Sequence, residues 1–466
     1  MITTLPKTIA NKGVLLYLIS LGVVSVAFFN YAMGFVFMLL GIAGLLVFFL
    51  GSNRLLAQWQ YLSPKRFVNQ LFWTAFVIRV IWVFFSYFFY IHYTGEPFEF
   101  EAADSIAYHG EGEWLSLESW KTVFDYLFFH RNSVSDSGYC LYLTLVYKIF
   151  GPNIIITRLL KALLGSWMCV LVYKLTARCM EERTARMTGV FTMLMPNLIV
   201  YCGLHLKEAE MLFLIVAFLE RADYVMRSKK VNVVNVVVPI LLAFSLFLFR
   251  TVLGAVALFS FGTALLFAPR NVMRKGRKVI IALWVIVAVV ILAGGTILNE
   301  IEATWNSREA NQETKRLQQT IRGNQWAKYA TGTVMAPAVF VLPLSTMTDT
   351  HQENQLVLHG GNYVRNFMGV FVLLAFFSAL FIKKNWRDFA LIGSFLVGYL
   401  GIISMSGFAG SERFLLPGLP CLIIFWAYGI SILNPRNYRF VKYWYVLIPF
   451  VEIGWAYFKI GSRGLL

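Results

Sequence analysis

Apolar stretches of about 20 residues recur along the whole chain, and no other feature narrows its fold as much. As a helix, a stretch of that length crosses the ~30 Å hydrocarbon core of a bilayer. Lipid offers the backbone no hydrogen-bond partners, so such stretches must satisfy their N–H and C=O groups internally, as helices. The runs fall near 13–30, 32–51, 68–93, 154–177, 186–203, 209–226, 233–249, 252–268, 278–297, 363–382, 389–407, 415–432 and 443–459. They predict an all-α polytopic membrane protein with about 13 transmembrane helices. Composition excludes the alternatives. The 466 residues are 58% hydrophobic and 14% charged, where soluble domains carry about 25% charge. A soluble enzyme, a disordered chain and a secreted disulfide scaffold are thereby ruled out. The five cysteines form no CxxC pair and read as packing residues.

The formal charge of +17 is distributed as a topology signal rather than a nucleic-acid footprint. Basic residues cluster between apolar runs: Arg54, Lys65 and Arg66; Arg178, Arg183 and Arg186; Arg227, Lys229 and Lys230; Arg270 to Lys278; Lys383, Lys384 and Arg387; Arg436, Arg439 and Lys442. Short basic loops remain cytoplasmic. With the N-terminus inside, every one of these clusters falls on that side. The bilayer is thus the expected partner, and nucleic acid is not. Two closely spaced apolar runs at the start predict a retained hairpin, not a cleaved signal peptide. The chain divides into an N-terminal hairpin (1–66), a core (67–297) containing a first external loop (94–153), a second external loop (298–362) and a C-terminal set of helices (363–466).

The first external loop is acidic. Residues 94–137 hold nine acids against Lys121 and Arg131. Trp114, Leu117, Trp120, Phe124, Leu127 and Phe128 recur at three- and four-residue steps, which predicts an amphipathic helix lying in the membrane interface. Tyr139 to Phe150 predicts a second helix, too short to span. In the second loop, Asn299 to Lys328 reads as polar helix. Val334 to Leu344, interrupted by Pro337 and Pro343, reads as a re-entrant or interfacial segment.

Three sets of residues carry candidate chemistry. On a helix, Glu101, Asp104, Tyr108 and Glu111 share one face, with His109 beside them. Crowded carboxylates raise one another's pKa, which suits a general base or a divalent-cation site; a solvated acidic loop is the alternative. The second set is His205, Lys207, Glu208 and Glu210, in a very short external turn where ionisable groups are usually paired and functional. The third is a group of external arginines, Arg413, Arg250, Arg158 and Arg365, which run against the positive-inside bias. Phosphate binding through the guanidinium fork would account for them, as would headgroup anchoring. Arg79, in the middle of an apolar run, predicts a buried partner such as a carboxylate.

The order of these elements resembles the membrane glycosyltransferases of the GT-C fold, which include protein O-mannosyltransferases and the lipid A aminoarabinose transferase. The resemblance rests on Asp104-x-x-x-Tyr108 after an early span, Ser135-Asp136-Ser-Gly138-Tyr139 leading into a helix that ends Lys148-Ile-Phe150-Gly151, and Arg158-Leu-Leu opening the next span. A basic turn from Arg178 to Arg186 follows, then a span ending near Pro196, a short charged turn, and a late Ser411-Glu412-Arg413-Phe-Leu-Leu-Pro417. It covers residues 68–226 best. It implies a GT-C-like bundle with extracytoplasmic juxtamembrane helices, in a bacterial cytoplasmic membrane. It also implies a sugar donor on a polyprenyl phosphate, a lipid-linked or surface glycan (or protein) acceptor and an extracytoplasmic active site. Asp104 matches the catalytic base, with Glu101 and Asp136 as alternatives. Arg413 matches a donor-phosphate ligand, joined as candidates by Lys207, Arg250, Arg158 and Arg365. Tyr108, His109, His205 and Glu208 are candidate substrate contacts. Many members carry Asp-Glu where this chain has Asp104-Ser105, so a divalent cation (Mg or Mn) on Asp104 and Glu208 is an open expectation. A flippase or transporter and a surface-glycan polymerase or ligase are the competing readings. Against transport stand the absence of internal repeats and the structured external loop.

Overall fold

A computed structural model gives the architecture and describes residues 5–6, 8–130, 135–228, 233–267, 338, 340–348, 357–405 and 412–461. The span expected at 278–297, the basic cluster 270–278, the polar stretch 299–328, and residues 334–337 and 339 of the expected re-entrant run lie outside these. The described residues are helical, with no strand among them. In order, the helices are α1 Val14–Ala27, α2 Phe35–Leu46, α3 Ser52–Trp59, α4 Pro64–Thr94, α5 Ala103–Leu117, α6 Trp120–Asp125, α7 Ser137–Phe150, α8 Ile154–Cys179 and α9 Glu182–Leu194. They continue with α10 Pro196–Val200, α11 Glu208–Arg227, α12 Val233–Phe249, α13 Thr251–Phe267, α14 His359–Phe377, α15 Ala390–Met405, α16 Glu412–Leu415, α17 Leu419–Ser431 and α18 Pro435–Gly461. Among the described residues, six helical stretches are long and apolar enough to cross a membrane: Phe35–Trp59, Pro64–Thr94, Ile154–Cys179, His359–Ile382, Trp386–Ser404 and Glu412–Ser431. The chain is thus an all-α membrane protein.

Local sequence sets the helix ends that frame the site. Pro64 opens α4, where its missing N–H costs nothing, and Gly95 closes it with φ 80°, a conformation that favours glycine. Asn153 starts α8, its side-chain oxygen accepting from the N–H groups of Ile155 (2.9 Å) and Ile156 (3.2 Å). α8 lies at the centre, packed on α4, α9 and α11; α11 in turn packs on α12, and α13 on α15. Above this core, α5 and α7 pack on each other, and α7 also touches α12.

Three expectations are corrected. The aromatic stretch from Trp114 to Phe128 is not one helix. Ser119 caps a new one, its hydroxyl accepting from Thr122 N–H at 3.2 Å, so α5 ends at Leu117 and α6 starts at Trp120. The two helices still expose Trp114, Leu117, Trp120 and Phe124. The apolar run at 186–203 is broken at Met195, between α9 and α10. Arg79 is fully buried, and among the described residues its partners are backbone carbonyls and the Cys169 sulfur (3.5 Å) rather than a carboxylate. Its guanidinium donates to the carbonyls of Met193 (3.4 Å), Thr192 (3.4 Å) and Ala75 (3.3 Å). The break explains the difference, since Pro196 has no N–H to offer Thr192 and the last carbonyls of α9 need outside donors. Gly165 on α8 makes room, because a Cβ there would lie 2.9 Å from Arg79 Nε.

Candidate active site

Six segments converge beside the start of α11. α5 contributes Asp104 and Tyr108. The turn before α7 contributes Asp136, held at φ 74° as the residue preceding the helix. The turn after α10 contributes Lys207, and the first residue of α11 is Glu208. The α12–α13 junction contributes Arg250, α15 contributes Tyr399, and α16 contributes Arg413.

Arg413 lies at the centre. Its Nε pairs with Glu208 Oε1 and its NH1 with Asp104 Oδ2. The two carboxylates differ sharply in access: the Asp104 side chain is 60% exposed and that of Glu208 is 0% exposed. Arg250 NH2 also faces Glu208 Oε1, at 3.6 Å. Arg250 is braced by Tyr399, whose hydroxyl lies 3.4 Å from NH1 and donates to the Phe414 carbonyl at 2.6 Å, and by the Phe414 ring under the guanidinium. Alongside, Lys207 Nζ pairs with Asp136 and donates to the Phe249 carbonyl at 2.9 Å. Tyr108 donates to Asp136 Oδ2 at 3.1 Å, and burial pushes its phenol above the ordinary value. The cluster therefore joins Asp104, Asp136 and Glu208 to Lys207, Arg250 and Arg413. This arrangement presents cationic forks next to an accessible carboxylate, which suits an anionic leaving group and a nucleophile that must lose a proton.

Other candidates lie elsewhere. Glu101 precedes α5 with φ 52° and lines a separate cleft with Tyr93, Glu96, Phe98, Glu99 and Phe100. It does not share the helical face of Asp104, because the helix begins only at Ala103. Glu111, two turns along α5 from Asp104, accepts from Cys140 Sγ at 3.1 Å. Arg158 is buried, donating to the Pro97 carbonyl, and Arg365 is buried against Glu412 at 2.6 Å. Both lie buried outside the Arg413 cluster, Arg365 with its guanidinium over the Phe340 ring. His109 and His205 form a chain through one hydroxyl. Tyr147 OH lies 2.8 Å from His109 Nδ1 and 3.2 Å from His205 Nε2. Burial depresses both imidazoles, aided at His205 by the nearby Lys161 and Arg158 charges.

Lys161 and Tyr399 were missed from the sequence, and Lys161 shapes the turn beside the cluster. Lys161 is fully buried, and its Nζ donates to the carbonyls of Leu204 (3.0 Å) and Leu206 and to Tyr139 OH (3.0 Å), with Glu210 Oε2 at 3.7 Å. It thereby fastens the turn that carries Lys207 and Glu208. A lysine one turn after Arg158 inside an apolar span was the available signal. Tyr399 left no sequence signal at all.

The side chains do not fit the divalent cation left open above. Asp104 and Glu208 are bridged by a guanidinium, and among the described residues no group of three His, Cys, Asp or Glu could hold a metal ion. No family model, no curated protein and no solved structure matches this chain.

Proposed function

We propose that the protein is a membrane glycosyltransferase, built as a GT-C-like bundle of about 13 transmembrane helices with juxtamembrane helices on the outer face of a bacterial cytoplasmic membrane. It transfers a sugar from a polyprenyl phosphate to a lipid-linked or surface glycan or a protein. The observation that carries this reading is the shared arginine: Arg413 contacts an exposed carboxylate, Asp104, and a fully buried one, Glu208. A phosphate leaving group needs fixed cations, an acceptor hydroxyl needs a base, and the cluster holds both within one residue's reach.

The chemistry follows from these groups. Asp104 takes the proton of the acceptor hydroxyl as its oxygen bonds to the anomeric carbon. The bond from that carbon to the phosphate oxygen breaks, and the polyprenyl phosphate leaves with the electron pair. Arg413 and Arg250 stabilise the charge left on it, in a site where preorganised donors act strongly. Glu208 fixes both guanidinium groups, and Lys207, tied to Asp136, completes the positive wall.

Purified protein in liposomes, supplied with polyprenyl-phosphate sugars and candidate acceptors, tests the reading. Release of polyprenyl phosphate that depends on Asp104 is the expected result. Movement of a lipid-linked glycan across the bilayer with its sugar–phosphate bond intact would replace this reading with a flippase. Sidedness is tested separately: a cysteine at Ser116 should react with an impermeant maleimide on intact cells.

A further inference from the structure

Arg413 divides its guanidinium between two carboxylates that would respond very differently to a competing anion. Glu208 has no exposure, and Arg250 also faces it. Stripping it of Arg413 would leave a buried charge short of its main partner, which is strongly unfavourable. Asp104 is 60% exposed, and water readily replaces its half of the contact. A carboxylate oxygen already accepting from a guanidinium also has fewer free lone pairs to offer an acceptor hydroxyl.

We propose that Arg413 exchanges Asp104 for the donor phosphate while Glu208 keeps the guanidinium in place, so that donor binding itself releases the catalytic base. Glu208 is then a positioning residue, not a substrate contact. Asp104 competes with the donor for the same NH1 face and is masked until the donor arrives. The acceptor hydroxyl is therefore deprotonated only in a donor-loaded protein. This inference rests on the proposed phosphate-binding role of the cluster.

Binding of farnesyl phosphate to the purified full chain, with farnesol as the uncharged control, tests the inference without turnover. Asp104→Asn removes the competitor and should tighten farnesyl phosphate binding about five- to tenfold, within the range of coupled neighbouring groups. Glu113→Gln, which removes a charge from the same helix at an exposed position, should leave affinity unchanged. In an Arg413→Gln background the gain from Asp104→Asn should vanish. Glu208→Gln should weaken binding, since the fork loses its anchor. If Asp104→Asn leaves affinity unchanged or lowers it, or if Glu113→Gln gives the same gain, the exchange is wrong while the phosphate site stands. If wild-type protein binds farnesyl phosphate no better than farnesol, the phosphate site itself is wrong.

Discussion

α11 carries a cluster of paired charges at each end, and the two are built on different plans. Toward its C-terminus, Glu220 pairs with Arg178 at 2.8 Å and Arg221 at 3.1 Å, while Asp223 pairs with Arg178 at 2.9 Å and Arg227 at 2.7 Å. Both carboxylates are buried, and each is held by two arginines. All partners come from two adjacent helices, α8 and α11. At its N-terminus, about 22 Å along the axis from Asp223, Glu208 meets Arg413 and Arg250, and Arg413 reaches out to an exposed Asp104 that is 309 residues away in sequence. The first cluster is closed and local, and it ties neighbouring helices. The second is assembled from distant segments and leaves one carboxylate open to solvent. Openness and non-local assembly, rather than charge as such, set the cluster we propose to be reactive apart from the one that ties helices.

The largest expected effect tests that distinction at the open end. Asp104→Asn keeps size but cannot accept the acceptor proton, so turnover should fall by about 10²–10⁴-fold. Thermal stability should change by no more than about 0.5 kcal/mol, as for other exposed positions. An inactive variant that is also unfolded would place Asp104 with the structural cluster. Next, Arg413→Ala should cost about 2–4 kcal/mol in transition-state stabilisation. Arg413→Lys should recover part of that, because an ammonium is a point charge without the planar fork. Full activity of Arg413→Ala with every donor and acceptor tried would remove the phosphate role.

At the closed end, Arg178→Met should lower unfolding stability by about 2 kcal/mol, less than the ~3–5 kcal/mol of an isolated buried pair because Arg221 and Arg227 remain. Turnover per folded molecule should hold. A loss of turnover without a loss of stability would show that this end also serves the reaction. The smallest effect concerns the His109–Tyr147–His205 chain. Both imidazoles titrate lower in the folded protein than in the unfolded chain. Below the unfolded value of about 6.5 the unfolded chain therefore binds more protons. Stability should decline as pH falls through 6.5 toward the depressed folded values, with a limiting slope of about 1.4 kcal/mol per pH unit for each group. Melting temperatures of wild type and His205→Gln between pH 7.5 and 5 check this; equal slopes would show that His205 does not carry the effect.

Part of this was legible in the residues themselves. The apolar runs mark α4, α8, α14 and α17 because a bilayer demands length and hydrophobicity, properties that one segment possesses alone. Asp104 stood out in a crowded acidic loop, Lys207 and Glu208 because ionised groups next to apolar runs are costly unless paired, and Arg250 and Arg413 because they run against the positive-inside bias. The break at Ser119 was less visible, since a three- and four-residue aromatic rhythm runs straight through it while a single cap decides the helix boundary.

Pairings belong to the tertiary structure. The sequence by itself determined that the chain is a helical membrane protein and that one acidic loop precedes a charged turn. It also set the short list of residues capable of chemistry. Only the packed bundle decided that Arg413 stands between Asp104 and Glu208, that Arg158 and Arg365 are buried away from that pair, and that Arg79 donates to carbonyls freed at Pro196. Burial and partner choice depend on which faces of distant helices meet. A buried charge takes whichever carboxylate or carbonyl those faces bring within reach, and no local pattern records which it will be.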